Sequence, residues 1–189
     1  MKKTKDLYTL FMVVISIVSI IVSGCKKDED NIDTVSNSFE ITSPEIGQNS
    51  LLPIDYTCDG ESATLPLDWR GYPENTQSFA LIMHHEASPT DIHWYWILYN
   101  ISATVQSLPK NVSGIGTMGN NRVNGKTEYS PPCSQGPGLK TYFYTIYALS
   151  EMLELNVSPE DVNRDVLLDA MDGIILSTDT FTVGYSREF

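Results

Sequence analysis

LIMHHEASPTDIHWYWILYNI, residues 81–101, holds all three histidines of the chain and two of its three tryptophans. Runs of apolar, β-branched and aromatic residues at either end ask for buried strands. The expected strands are 78–85 and 93–101, joined by a loop whose Ala-Ser-Pro-Thr-Asp supplies turn chemistry. Successive strand side chains point to opposite faces, so His93, Tyr95 and Ile97 are expected on one face and Trp94, Trp96 and Leu98 on the other. By the same rule His84 and His85 diverge unless a bulge intervenes.

Outside that stretch, further strands are expected at 39–42, 55–57, 141–149 and 179–185, separated by segments rich in Gly, Pro, Asn and Ser. The longest of these, 111–138, is too long for a simple connection in a compact domain and is expected to be functional or disordered. One helix is expected, 159–171, with Ser158 as its N-cap, Pro159 at the first position and an apolar stripe of Val162, Val166, Leu167 and Ala170. Gly173 would end it. Many strands with one late helix imply a mainly β domain of antiparallel sheets, a β-sandwich of two packed sheets with few peripheral helices.

The N-terminus reads as an export signal. Lys2, Lys3 and Lys5 precede an apolar run at 10–22, and Val22-Ser23-Gly24-Cys25 looks like the lipobox of a bacterial lipoprotein. The division expected is a signal peptide at 1–24, a lipidated Cys25 opening a flexible acidic stalk at 25–38, and a folded domain at 39–189. Acyl chains on Cys25, palmitate among them, would hold the domain to a membrane. The location expected is the cell envelope, on the outer membrane. The run Lys27-Asp28-Glu29-Asp30 resembles the surface-export signal of Bacteroidota lipoproteins, which would place the domain on the cell surface.

Net charge argues against one class of partner. The chain carries −12, and loss of the signal, with three lysines and one aspartate, takes the mature form to about −14. Nucleic acid, which demands basic patches, is not an expected partner. With Cys25 lipidated, Cys58 and Cys133 remain as an even pair in an exported domain, and a disulfide between them is expected.

The motifs resemble those of a known family along nearly the whole mature domain. Tyr56-Thr57-Cys58-Asp59-Gly60-Glu61, Leu65-Pro66-Leu67-Asp68-Trp69, Ser78-Phe79-Ala80-Leu81-Ile82, Pro131-Pro132-Cys133, Ile146-Tyr147-Ala148-Leu149 and Gly184-Tyr185-Ser186-Arg187 resemble the bacterial branch of the phosphatidylethanolamine-binding proteins, also called Raf kinase inhibitor-like proteins. The resemblance implies a domain of antiparallel sheets with a small anion-accepting pocket near one edge. In that pocket the chain departs from the family pattern. An Asp-Pro-Asp-x-Pro segment is replaced by His85-Glu86-Ala87-Ser88-Pro89, and the two pocket histidines by Tyr95 and Lys140.

The substituted set still offers donors to an anion: an ammonium from Lys140, hydroxyls from Tyr95 and Tyr129, and a histidine, His84 or His85. The expected ligand is a small anion or a phospholipid headgroup, bound without chemistry; the sequence shows no Gly-x-Ser-x-Gly elbow of a hydrolase. No cofactor is expected. His84, His85, Glu86, Asp91 and His93 are metal-ligand residue types, but they lack the helical spacing of known zinc motifs, and no metal is expected. The alternative is an inhibitor or adaptor that meets a protein partner, a protease or kinase, through its loop surface.

Overall fold

Alternation of apolar and polar residues builds most of this molecule. The computed structural model describes residues 38–187. The expected signal, Cys25 and all but the last residue of the stalk lie outside them. In chain order the strands are β1 (Glu40–Thr42), β2 (Ser50–Leu51), β3 (Leu67–Arg70), β4 (Ser78–Ser88), β5 (Asp91–Ser102), β6 (Ser107–Leu108), β7 (Thr117–Met118), β8 (Lys140–Leu149) and β9 (Ile175–Tyr185). One α-helix, α1 (Arg164–Met171), lies between β8 and β9.

Six strands form the larger sheet in the order β2-β9-β8-β4-β5-β7, and β1-β3-β6 form the smaller. All pairings are antiparallel except β2 with β9. Phe79, Leu81 and Met83 of β4, with Trp96, Leu98 and Ile146, pack in one buried cluster with Ile41, Leu67 and Trp69 of the smaller sheet. The opposite face of the larger sheet carries Ala80, Ile82, Ile97 and Tyr99, packed with Leu167 and Met171 of α1. Each fully buried aliphatic of this kind stabilises the fold by about 1.5–3 kcal/mol relative to exposure. The mainly β, two-sheet architecture is the one expected, with one helix on the outer face.

Four expectations change at the level of elements. The β4–β5 connection is a tight turn at Pro89 and Thr90, because pairing continues through Glu86 with Ile92 and Ser88 with Asp91. The segment expected as a strand at 55–57 is a single 3₁₀ turn, Ile54–Tyr56, closed by the Thr57 hydroxyl donating to the Ile54 carbonyl at 2.8 Å. Ser158 and Pro159 open a second 3₁₀ turn, Pro159–Asp161, instead of the α-helix. The helix starts later because Asn163 caps it, its Oδ1 accepting from the Val166 N–H at 2.9 Å. Lastly, β3 was not expected, although its pattern of buried Leu67 and Trp69 against exposed Asp68 and Arg70 is that of a strand with one buried face.

The long segment at 111–138 is organised around Asn121, whose buried side-chain amide donates to the carbonyls of Lys126 at 3.0 Å and Glu128 at 3.1 Å. Its backbone runs beside β5, with Arg122 N donating to Trp94 O at 2.9 Å and Ser130 N to Tyr95 O at 2.8 Å. Among the described residues no helix is long and apolar enough to cross a membrane.

Candidate functional site

The site begins with an irregularity in β5. Pairing with β4 steps from Met83–Trp96 to His84–Trp94, so Tyr95 is the extra residue of a bulge. The bulge breaks the expected alternation: Tyr95 and Trp96 both pack against the inter-sheet core, while Trp94 joins Ile97 on the α1 side. Tyr95 is therefore not on the face of Ile97, as strict alternation required.

On β4 the alternation is unbroken against β8, so its two histidines part company. His84 goes to the α1 side with Ala80 and Ile82 and stacks on Phe143 at 5.1 Å. Its Nε2 lies 3.5 Å from a Glu86 carboxylate oxygen, and its Nδ1 is buried with no hydrogen-bond partner. Burial first, and then the Arg164 charge, hold its pKa below the ordinary histidine value. His84 thus leaves the expected ligand set. His85 faces the other way, its ring 5.5 Å from that of Tyr142. Its Nδ1 meets the Thr141 carbonyl at 2.9 Å; a carbonyl only accepts, so Nδ1 carries the proton and Nε2 is left available.

Tyr142 is the centre of the group. Its ring also takes the edge of Tyr95 at 5.3 Å. The Tyr95 and Tyr142 hydroxyls lie near enough to influence each other's ionisation, yet Tyr142 Oη is buried without a partner at hydrogen-bonding geometry. Burial raises the pKa of both phenols, so each stays a neutral donor. Two residues back along β8, and so on the Tyr142 side, stands the half-buried Lys140, which has no ion-pair partner among the described residues. Tyr129 lies further in, beside Tyr144, with its ring edge on Trp96 at 5.5 Å. Its hydroxyl donates to the Tyr56 carbonyl at 3.2 Å, which makes it a brace more than a free donor.

Across the strand pair from Lys140 is Tyr185, whose hydroxyl donates to Asp59. Asp59 also accepts from Arg187; these two contacts, Tyr185 first, hold its carboxyl below the usual range. Asp59 is fixed by its neighbour Cys58, whose disulfide to Cys133 is present, with Cα atoms 5.3 Å apart. The bond joins the turn at 54–60 to the Pro131-Pro132-Cys133 loop, and Cys58 N donates to Pro132 O at 3.0 Å. A cavity of about 410 Å³ opens beside Tyr185, lined also by Leu51, Leu52, Ile54, Asp59 and Arg187.

Asp59, Tyr185 and Arg187 were not among the candidate residues. Their signal was positional: they come from the first and last of the motif segments, which strand pairing and the disulfide bring together. His93 stands opposite His85 in the hairpin, but its Nε2 is engaged by Asp91 at 3.1 Å. Among the described residues, no three His, Cys, Asp or Glu side chains converge in the manner of a metal site.

The family model for phosphatidylethanolamine-binding protein matches residues 42–186. The chain belongs to the phosphatidylethanolamine-binding protein family. It is 35% identical over 132 residues to a UPF0098 protein of Methanothermobacter thermautotrophicus, covering 66% of this chain and 83% of that one. Over 155 residues it is 30% identical to a UPF0098 protein of Chlamydia trachomatis, covering 79% of this chain and all of the relative. The crystal structure of a phosphatidylethanolamine-binding protein homolog from Chlamydia trachomatis superposes with a TM-score of 0.73 at 28% identity, over 81% of this chain and 100% of that one. E. coli YbcL shares the fold, with a TM-score of 0.70 at 24% identity over 79% of this chain and 99% of that one. In this family member the rings of His85 and Tyr95 both lie against that of Tyr142, and Lys140 stands two residues before it on the same face of β8.

Proposed function

We propose that this family member is a non-enzymatic binding protein whose pocket takes a small anion, such as a phosphoryl group, where Lys140, His85, Tyr95 and Tyr142 share one side of the larger sheet. The observation that carries this reading is the buried, unpartnered hydroxyl of Tyr142, two residues from a lysine with no carboxylate partner among the described residues. An unsatisfied buried donor costs about 1–3 kcal/mol, and an anion oxygen received there removes that cost while meeting the ammonium. His85 adds a donor through Nε2 when its ring is protonated. The sequence features of residues 1–25 support a lipid anchor at Cys25 that carries the pocket on the outer membrane.

Isothermal calorimetry with inorganic phosphate at fixed ionic strength tests the pocket. A charge-assisted hydrogen bond is worth about 1.5–3 kcal/mol, so Lys140→Met should weaken binding by roughly 10-fold to 100-fold without loss of the fold. Equal affinity in the two proteins removes Lys140 from the site.

A further inference from the structure

The chain has only four arginines, Arg70, Arg122, Arg164 and Arg187, against 24 acidic residues. Two of the four border one small cavity. It measures about 170 Å³ and is lined by Pro89 and Thr90 of the hairpin turn, Ile92 and Trp94 of β5, Arg122, and Arg164 and Asp165 at the start of α1. At about 30 Å³ of liquid volume per water, it has room for roughly six waters, or for a phosphate-sized group with part of its hydration. Trp94 lies on the α1 side of the sheet, the face opposite to Lys140 and Tyr142.

Each arginine is set by a different device. Arg122 is fixed from three directions: its backbone N–H donates to Trp94 O at 2.9 Å, its Nη1 donates to Ile92 O, and its Nη2 pairs with Asp91 at 2.9 Å. Its guanidinium carbon lies 5.7 Å from the Trp94 ring, within cation–π range. A guanidinium has five N–H donors, and these contacts use two of them. Asp91, which holds Arg122, is not part of the cavity lining and is shared with His93. The Trp94 indole N–H is engaged by Asn120 O at 3.1 Å, so Trp94 gives the cavity a flat apolar wall.

Arg164 is more buried than Arg122, and its sole carboxylate partner among the described residues is the adjacent Asp165 at 3.1 Å. That partner is 73% exposed, and an ion pair between exposed sequence neighbours contributes about 0–1 kcal/mol, so it yields readily to a stronger acceptor. Arg164 and Asp165 are the first two residues of α1, so the turn of the helix that carries its partial positive charge borders the cavity. Each guanidinium already meets one carboxylate, Arg122 that of Asp91 outside the lining and Arg164 that of Asp165 within it, and the donors left over suit the oxygens of phosphate better than any neutral guest.

We infer that this cavity is a second oxyanion site, for a phosphate group clamped between Arg122 and Arg164 over Trp94, with the Asp165 carboxylate as a displaceable occupant. It is independent of the pocket at Lys140 and stands whether or not that pocket binds. The test is a titration with inorganic phosphate, at fixed ionic strength, of ¹⁵N-labelled protein carrying Lys140→Met. The readout is the indole N–H resonance of Trp94, assigned by its loss in Trp94→Phe. A saturable shift is expected, weakened at least 10-fold by Arg164→Gln and strengthened several-fold by Asp165→Asn. The opposite signs of those two variants separate a clamp from a merely structural pair, whose loss from either side would leave affinity alone. Absence of a saturable shift, or affinity unchanged in both variants, overturns the inference.

Discussion

At the scale of single residues, Tyr142 is held where its ring is useful and its hydroxyl is not yet satisfied. Its ring is fully buried between His85 and Tyr95, while Oη has no partner. Removing an unsatisfied buried hydroxyl relieves a desolvation cost, so Tyr142→Phe should keep or raise the melting temperature while weakening phosphate binding several-fold. A variant that loses stability and keeps its affinity would show that the hydroxyl serves the fold. Lys140 and Tyr95 are candidates because the family resemblance puts them at the positions of its two pocket histidines, which composition and spacing alone do not single out. The choice between His84 and His85 was not legible, since adjacency shows only that they diverge and not which faces the core. The position of Tyr95 depended on a bulge, and nothing in Trp94-Tyr95-Trp96 marks which of three aromatics is the inserted one.

Among the elements, the long central strands and the three-residue β1 were readable, and the other short strands were not. β4, β5, β8 and β9 have enough β-branched and aromatic residues to declare themselves, whereas β2, β6 and β7 are two residues each, and their pairing is imposed by neighbours. The same reason misplaced the ends of β4 and β5. His85 to Ser88 has no apolar alternation, so only the register across to Asp91 extends the hairpin to its tight turn. The helix was found but begun too early: Ser158-Pro159 is a sound opening signal that nucleates one 3₁₀ turn, and Asn163 caps the helix that follows. Close approach explains two glycines that composition alone left as loop residues. A Cβ on Gly60 would lie 2.3 Å from the Ile54 carbonyl oxygen, and one on Gly119 2.4 Å from that of Val162. Gly60 thereby lets the turn that carries Cys58 and Asp59 fold back on itself.

For the molecule as a whole, acid should destabilise in two stages. His84 is depressed below its ordinary value of 6.5 by burial first and by Arg164 second, against the opposing pull of Glu86. Above about pH 6.5 the ring is neutral in both states and its contribution is complete. As pH falls below that, the unfolded chain takes a proton the folded one refuses, and stability declines until the folded value is passed. Asp59 and Asp91 act lower on the scale: their carboxyls are held down by Tyr185 and Arg187, and by His93 and Arg122, so their stabilisation is present above the ordinary carboxylate range and lost as pH falls through the depressed values. Melting temperatures from pH 7.5 to 5.5 should fall less in His84→Gln than in the parent; parallel curves would contradict the assignment. The net charge of −12 meanwhile places any anion site in a repelling field, so binding must come from local donors and not from long-range attraction. The measurement that tests the pocket most directly is a backbone amide map of isotope-labelled protein titrated with inorganic phosphate. The expected result is a saturable set of shifts at His85, at 139–142 and at 184–187 that disappears in Lys140→Met; saturation without shifts at these positions, or the same shifts persisting in Lys140→Met, would contradict it.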